Sequence, residues 1–144
     1  MKTEVALSEL VADKDNQIAR WVCRGLNCDT NWLKDFRTFG VIRNNQIIAG
    51  IIFHNARFGQ DVWWTIYSTD KHWCTKRIVK ILMKEAFENL QCRRINVLID
   101  SDNQKCLKLV KQLNFKIEGR LRQFNDDGKD RYILGLLKSE NKYI

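Results

Sequence analysis

Proline is absent from the 144 residues, glycine occurs seven times, and histidine and methionine twice each. Without proline, the turns fall to glycine, asparagine and aspartate. With only His54 and His72, and no C-x-x-C pair among Cys23, Cys28, Cys74, Cys92 and Cys106, the tight ligand spacing of a structural metal site is missing. No metal is expected. An odd cysteine count in that arrangement reads as reduced thiols, packed mostly as small apolar groups. Apolar runs are short as well. IIAGIIF at 47–53 has the length of a strand, and nothing approaches the roughly 18 residues of a membrane span. The opening MKTEVALSEL is interrupted by Glu4, Ser8 and Glu9 and so lacks a secretory h-region. The expectation is a cytoplasmic protein with no membrane partner.

Against those absences stand a 44% hydrophobic content, enough for a packed core, and a formal charge of +8. The length favours one domain over residues 1–144. The basic balance favours anionic partners, which leaves nucleic acid, a phosphate-rich cofactor and an acidic protein all open.

Residues 8–24 hold Leu10, Val11, Ile18, Ala19, Val22 and Cys23 at a spacing that is helical in its second half, and Gly25 follows where a helix would end. A short second helix is expected over 30–37, capped by Asp29 or Thr30. Strands follow at 38–43 and 46–54, joined through Asn44-Asn45, a pair suited to a two-residue hairpin. DVWWTIYST (61–69) is a third strand. The period then changes. Ile78, Val79, Leu82, Met83, Ala86, Phe87 and Leu90 form one face of an amphipathic helix over 75–90. A strand at 94–100, a helix at 103–113 and a closing hairpin of 115–121 with 131–137 complete the order. The pattern predicts an α/β fold with a mixed sheet and helices on its faces. In such folds ligands favour the carboxyl end of a strand where its neighbours part, which points to the join between strand 61–69 and helix 75–90.

Three stretches carry a family resemblance. HWCTKRIVKILMKEAFENLQCRRINVLID (72–100) is similar to a pattern of R-W-x-[ST]-R, an amphipathic helix, and a Leu-Gly-Cys-x-Arg turn into a strand. N-x-x-C-x-x-L-V-x-x-L-N-F (103–115) resembles N-x-x-A-x-x-L-Y-x-x-x-G-F. EGRLR (118–122) followed by DGKDRYILGLL (127–137) resembles an E-G-x-x-R and D-x-x-x-Y-G-L-L ending. From about Ser68 to Leu137 the chain thus resembles the GNAT superfamily of N-acetyltransferases, in a branch found among bacterial and phage-encoded members. The first 67 residues agree only in element order. The resemblance implies a GNAT-like, mainly antiparallel central sheet with helices on both faces, and acetyl-CoA as co-substrate. No glycine stands in the phosphate loop, Val110 takes the place of the frequent general-acid tyrosine, and Asn114 takes that of the glycine in the Gly-Phe pair.

On that resemblance, Trp73, Cys74, Thr75, Lys76, Arg77 and Ile78 would meet the cofactor's diphosphate at a helix opening. Lysine and arginine there could replace part of what glycine supplies by geometry; the plainer reading is a solvated basic helix start. Ile66, Tyr67 and Ser68 would pair with the pantetheine arm, Asn103 would contact it, and Lys105 or Lys108 would meet the 3′-phosphate. Asn103 could equally satisfy its own backbone at a helix start. Direct attack by an amine needs a proton acceptor. His54, or Tyr67 and Ser68 through water, are the candidates, and Cys106 is a candidate donor to the departing thiolate, although a packed thiol is the plainer reading. Glu118 and Asp130 match acceptor-side positions, or else form cross-strand pairs with nearby arginines. Trp63, Trp64 and Trp73 beside basic residues could stack bases, although alternation along a strand puts one of Trp63 and Trp64 inward.

The expected function is acetyl transfer to an amine of unknown identity, with a protein N-terminus, a lysine, a small amine, an aminoacyl-tRNA or an amino-modified base all open. The alternative is a non-catalytic module of the same shape that contacts nucleic acid or a partner protein through its basic surface. A homodimer is compatible with either.

Overall fold

The computed structural model describes residues 9–12 and 16–144. Seven strands form one sheet in the order β1-β2-β3-β4-β5-β7-β6. They are β1 (Glu9–Ala12), β2 (Arg37–Arg43), β3 (Gln46–Arg57), β4 (Asp61–Ser68), β5 (Arg94–Asp100), β6 (Lys116–Leu121) and β7 (Arg131–Leu137). The helices are α1 (Gln17–Gly25), α2 (Lys76–Lys84) and α3 (Gln104–Gln112). The expected mixed, mainly antiparallel sheet is present, with β4 and β5 paired in parallel. Among the described residues, no helix is long and apolar enough to cross a membrane.

Two expectations near the amino end are corrected. Leu10 and Val11 lie in a strand, paired with Val41 and Gly40, where the expected order began with a helix; residue 8 and residues 13–15 lie outside the described residues. No helix forms over 30–37. Asp29 does accept from the amide of Asn31, but that closes a local turn, and Asp35 at φ 46° breaks helical geometry six residues on.

The contacts divide the chain into two compact units. One runs through Asn55 and takes in Thr65–Val79; the other comprises Ala56–Trp64 and Lys80–Ile144. In the first unit, Asn44 (φ 52°) and Asn45 (φ 60°) make the expected two-residue turn between β2 and β3. Gly40 and Gly50 face each other across those strands. Their missing side chains make room for α1, because a Cβ at Gly40 would overlap Ile18 and one at Gly50 would overlap Val22. Ile18, Ala19, Val22, Cys23 and Ile52 form the buried cluster there.

In the second unit, the β4–β5 ladder runs from Asp61↔Arg94 to Trp64↔Val97, and β5 pairs with β7 along its whole length. Trp64 is buried against Phe115. Asn114 adopts φ 80°, a left-handed conformation that asparagine tolerates and that explains why it can stand where the family pattern has glycine. Glu85–Asn89 forms a π-helical turn directly after α2, closed by Leu90 N–H donating to the Glu85 carbonyl.

Candidate active site

β4 runs on from Trp64, the last residue of its ladder with β5, through Thr65, Ile66 and Tyr67 to Ser68. Beyond Ser68 the chain makes a short 3-10 turn at Lys71–Trp73, where Asp70 accepts from the His72 amide, and enters α2. The Thr75 hydroxyl accepts from the Ile78 amide at 3.2 Å, and its carbonyl accepts from Val79, so Thr75 caps α2. Thr75, Lys76 and Arg77 are exposed and Ile78 is buried. The opening turn thus carries two formal cations on top of the partial positive charge of a helix start. Trp73 is 1% exposed, so its indole is a core group and only its backbone reaches the loop. Cys74 is half-buried, and burial raises its thiol to about 11.

On the side of β4 that carries Thr65 and Tyr67, the Tyr67 ring packs edge-on against Trp21 at 5.2 Å. The same ring fills the space above Gly25 at the end of α1, where a Cβ would overlap it. Ile66 points the other way and is buried, whereas Ser68 is half-buried.

His54, near the end of β3, is 8% exposed with both ring nitrogens engaged. Nδ1 lies 2.6 Å from Asn55 Oδ1, and Nε2 lies 2.8 Å from Thr65 Oγ1. An amide oxygen only accepts, so Nδ1 carries the proton and Nε2 accepts from the threonine hydroxyl. Burial lowers the pKa of His54, partly opposed by the bond to Asn55, which favours this neutral form. Trp32 stands edge-on to the imidazole with ring centres 5.0 Å apart. Asn55 holds its position at φ 52°. Sequence reasoning pointed to His54 but missed Thr65, Asn55 and Trp32. The available signal was Thr65, a small hydroxyl residue within the aromatic and apolar run of β4, and the His54-Asn55 pair near the end of β3.

In the second unit, Asn103 caps α3, its Oδ1 accepting from the Cys106 amide at 3.2 Å, which is the local role open to it from the sequence. Cys106 is half-buried, with its thiol raised to about 11 by burial. Lys105 and Lys108 are exposed on α3, and Val110 is fully buried. Glu118 pairs with Arg94, and Asp130 pairs with Arg120, as in the cross-strand reading.

Neither a protein-family model nor a curated protein sequence matches the chain. Solved structures do. Mutant forms of the spermidine/spermine N-acetyltransferase SpeG from Vibrio cholerae superpose with a TM-score of 0.71 at 15% identity, over 92% of this chain and 96% of that one. The same enzyme in complex with CoA and spermine gives 0.70 at 14% identity, again over 92% and 96%. A dodecameric form in an intermediate state gives 0.70 at 14% identity, over 92% and 94%. The chain therefore has the GNAT fold.

Proposed function

We propose that this chain transfers an acetyl group from acetyl-CoA to an amine. The observation that carries the reading is the capped, doubly cationic opening of α2, placed a short turn after the part of β4 that outruns its ladder with β5. A diphosphate fits such a turn at the helix start, with Lys76 and Arg77 adding charge. The backbone of Ile66–Ser68 offers an extended edge on which a pantetheine arm can pair. The Vibrio cholerae relative crystallised with CoA and spermine supports a thioester donor and an amine acceptor. This chain's formal charge of +8 works against a polycation as that acceptor.

The reaction is attack by a neutral amine on the thioester carbonyl. The C–S bond breaks, a C–N bond forms, and one amine proton must leave. Thr65 Oγ1 accepts that proton as its own passes to His54 Nε2, while Asn55 keeps the imidazole oriented. The departing thiolate has a parent pKa near ~8.5 and can leave without an acid. A Cys106 thiol at about 11 is a poor donor to it. That transfer runs uphill by about 3 kcal/mol.

A thermal-shift titration tests the reading. At one hundred times its Kd, acetyl-CoA should add about 2.7 kcal/mol of stability. That corresponds to a rise of roughly 5–10 °C for a chain of this size. Lys76→Ala with Arg77→Ala should weaken binding without lowering the ligand-free Tm. No shift at millimolar acetyl-CoA would favour a non-catalytic binding module instead.

A further inference from the structure

The second unit holds a cavity of about 310 Å³, lined by Arg57, Gln60, Asp61, Arg93, Arg94 and Leu137. Asp61, the first residue of β4, is part of its lining. We infer that the cavity binds phosphate, free or carried as a phosphomonoester.

The floor of the cavity is a continuous network. Asp61 accepts from Arg57 Nε at 2.6 Å and from Asn96 Nδ2 at 2.9 Å. Asn96 Oδ1 in turn accepts from Arg94 Nε at 2.6 Å, and Arg94 Nη2 pairs with Glu118. Arg94 and Glu118 meet across β7 because Gly135 lies between them, where a Cβ would overlap both. Asn96 is 4% exposed, so the network is fixed from beneath. Hydrogen bonding from Arg57 holds the Asp61 carboxyl below its usual range and keeps it anionic.

Each anchor takes only part of a guanidinium. The bonds to Asp61 and Asn96 use Nε of Arg57 and Arg94, which leaves terminal N–H groups of both in fixed positions. Arg93 is held by its backbone, its N–H donating to Gln60 and its carbonyl accepting from Lys138, while its side chain has no hydrogen bond or ion pair among the described residues. Three guanidinium groups against Asp61 and against Glu118, which pairs with Arg94, leave one positive charge over, so the cavity favours an anion. Arginine forks match phosphate oxygens in pairs, which favours phosphate over a halide. Leu137, 40% exposed, offers an apolar wall for the carbon portion of a phosphomonoester. The volume is at the small end of ligand pockets.

The test is an amide NMR titration of the full chain at constant ionic strength with inorganic phosphate, glycerol phosphate and, as control, chloride. Saturable shifts confined to the amides around Gln60, Arg93 and Arg94 are expected with both phosphates. Tighter binding of glycerol phosphate would identify a phosphomonoester site, and equal binding a site for free phosphate. Arg93→Ala, at an exposed side chain, should raise Kd about tenfold or more, and Arg57→Gln should do the same. Non-saturating shifts, an equal response to chloride, or an unchanged Kd in Arg93→Ala would overturn the inference. None of these outcomes depends on acetyl-CoA binding.

Discussion

Replacing Thr65 with valine removes one hydroxyl at nearly constant volume, and the structure says what that hydroxyl does. His54 Nε2 loses its 2.8 Å partner while the ring remains 8% exposed. An unsatisfied buried acceptor costs about 1–3 kcal/mol. The Tm should fall by roughly 2–4 °C per kcal/mol. If Thr65 also passes the amine proton to His54, the rate suffers separately. Positioned general bases contribute roughly 10²–10⁴-fold, so kcat/KM for the amine should drop by at least about a hundredfold. The KM for acetyl-CoA should hold, and Thr65→Ser should restore the rate. Burial lowers the pKa of His54, so the acidic limb of the wild-type rate profile should lie below its ordinary value of ~6.5. The assay is thiol release from acetyl-CoA with a panel of amines across pH, paired with thermal melts. A lowered Tm with kcat/KM within twofold of wild type would refute the relay and leave Thr65–His54 as a purely structural bridge.

Gly50→Ala should cost about 1–3 kcal/mol, because the added methyl overlaps the stiff, buried Val22; an unchanged melt would show that α1 does not seat there. The lowered pKa of His54 sets a sign for stability. As pH falls below about 6.5 the unfolded chain takes up a proton on this histidine before the folded chain does. Stability should therefore decline with acidification from that point, and His54→Asn should flatten the slope in denaturant melts. A thiol reagent at pH 8 should label the exposed Cys28 first. Cys74, Cys92 and Cys106, raised to about 11, should lag, since only on the order of 10⁻³ of each is thiolate at that pH. Equal labelling of all of them would contradict the burial described above.

Most of the architecture was legible where a periodic pattern ran for a full element. The face Ile78, Val79, Leu82, Met83 is buried as the helical spacing requires, and the Asn44-Asn45 turn follows from the tolerance of asparagine for positive φ. β1 was not legible, because four residues give too short an alternation and its partners in β2 lie about thirty residues away. The expected helix at 30–37 failed because Asp29 makes the same side-chain bond in an isolated turn as in a helix cap. At the site, the Thr75 cap suits the residue type but was not anticipated, and the Thr65–His54–Asn55 contact depends on how β3 and β4 lie beside each other, which no local pattern encodes. Glu118 was ambiguous for the same reason; its partner Arg94 is 24 residues away and two strands across the sheet.

A crystal structure with acetyl-CoA bound tests the central claim most directly. The account predicts diphosphate oxygens against the opening turn of α2, with Lys76 and Arg77 alongside and the thioester arm running along Ile66–Ser68. An opening turn of α2 left without ligand at saturating acetyl-CoA, or the cofactor held elsewhere on the molecule, would contradict it.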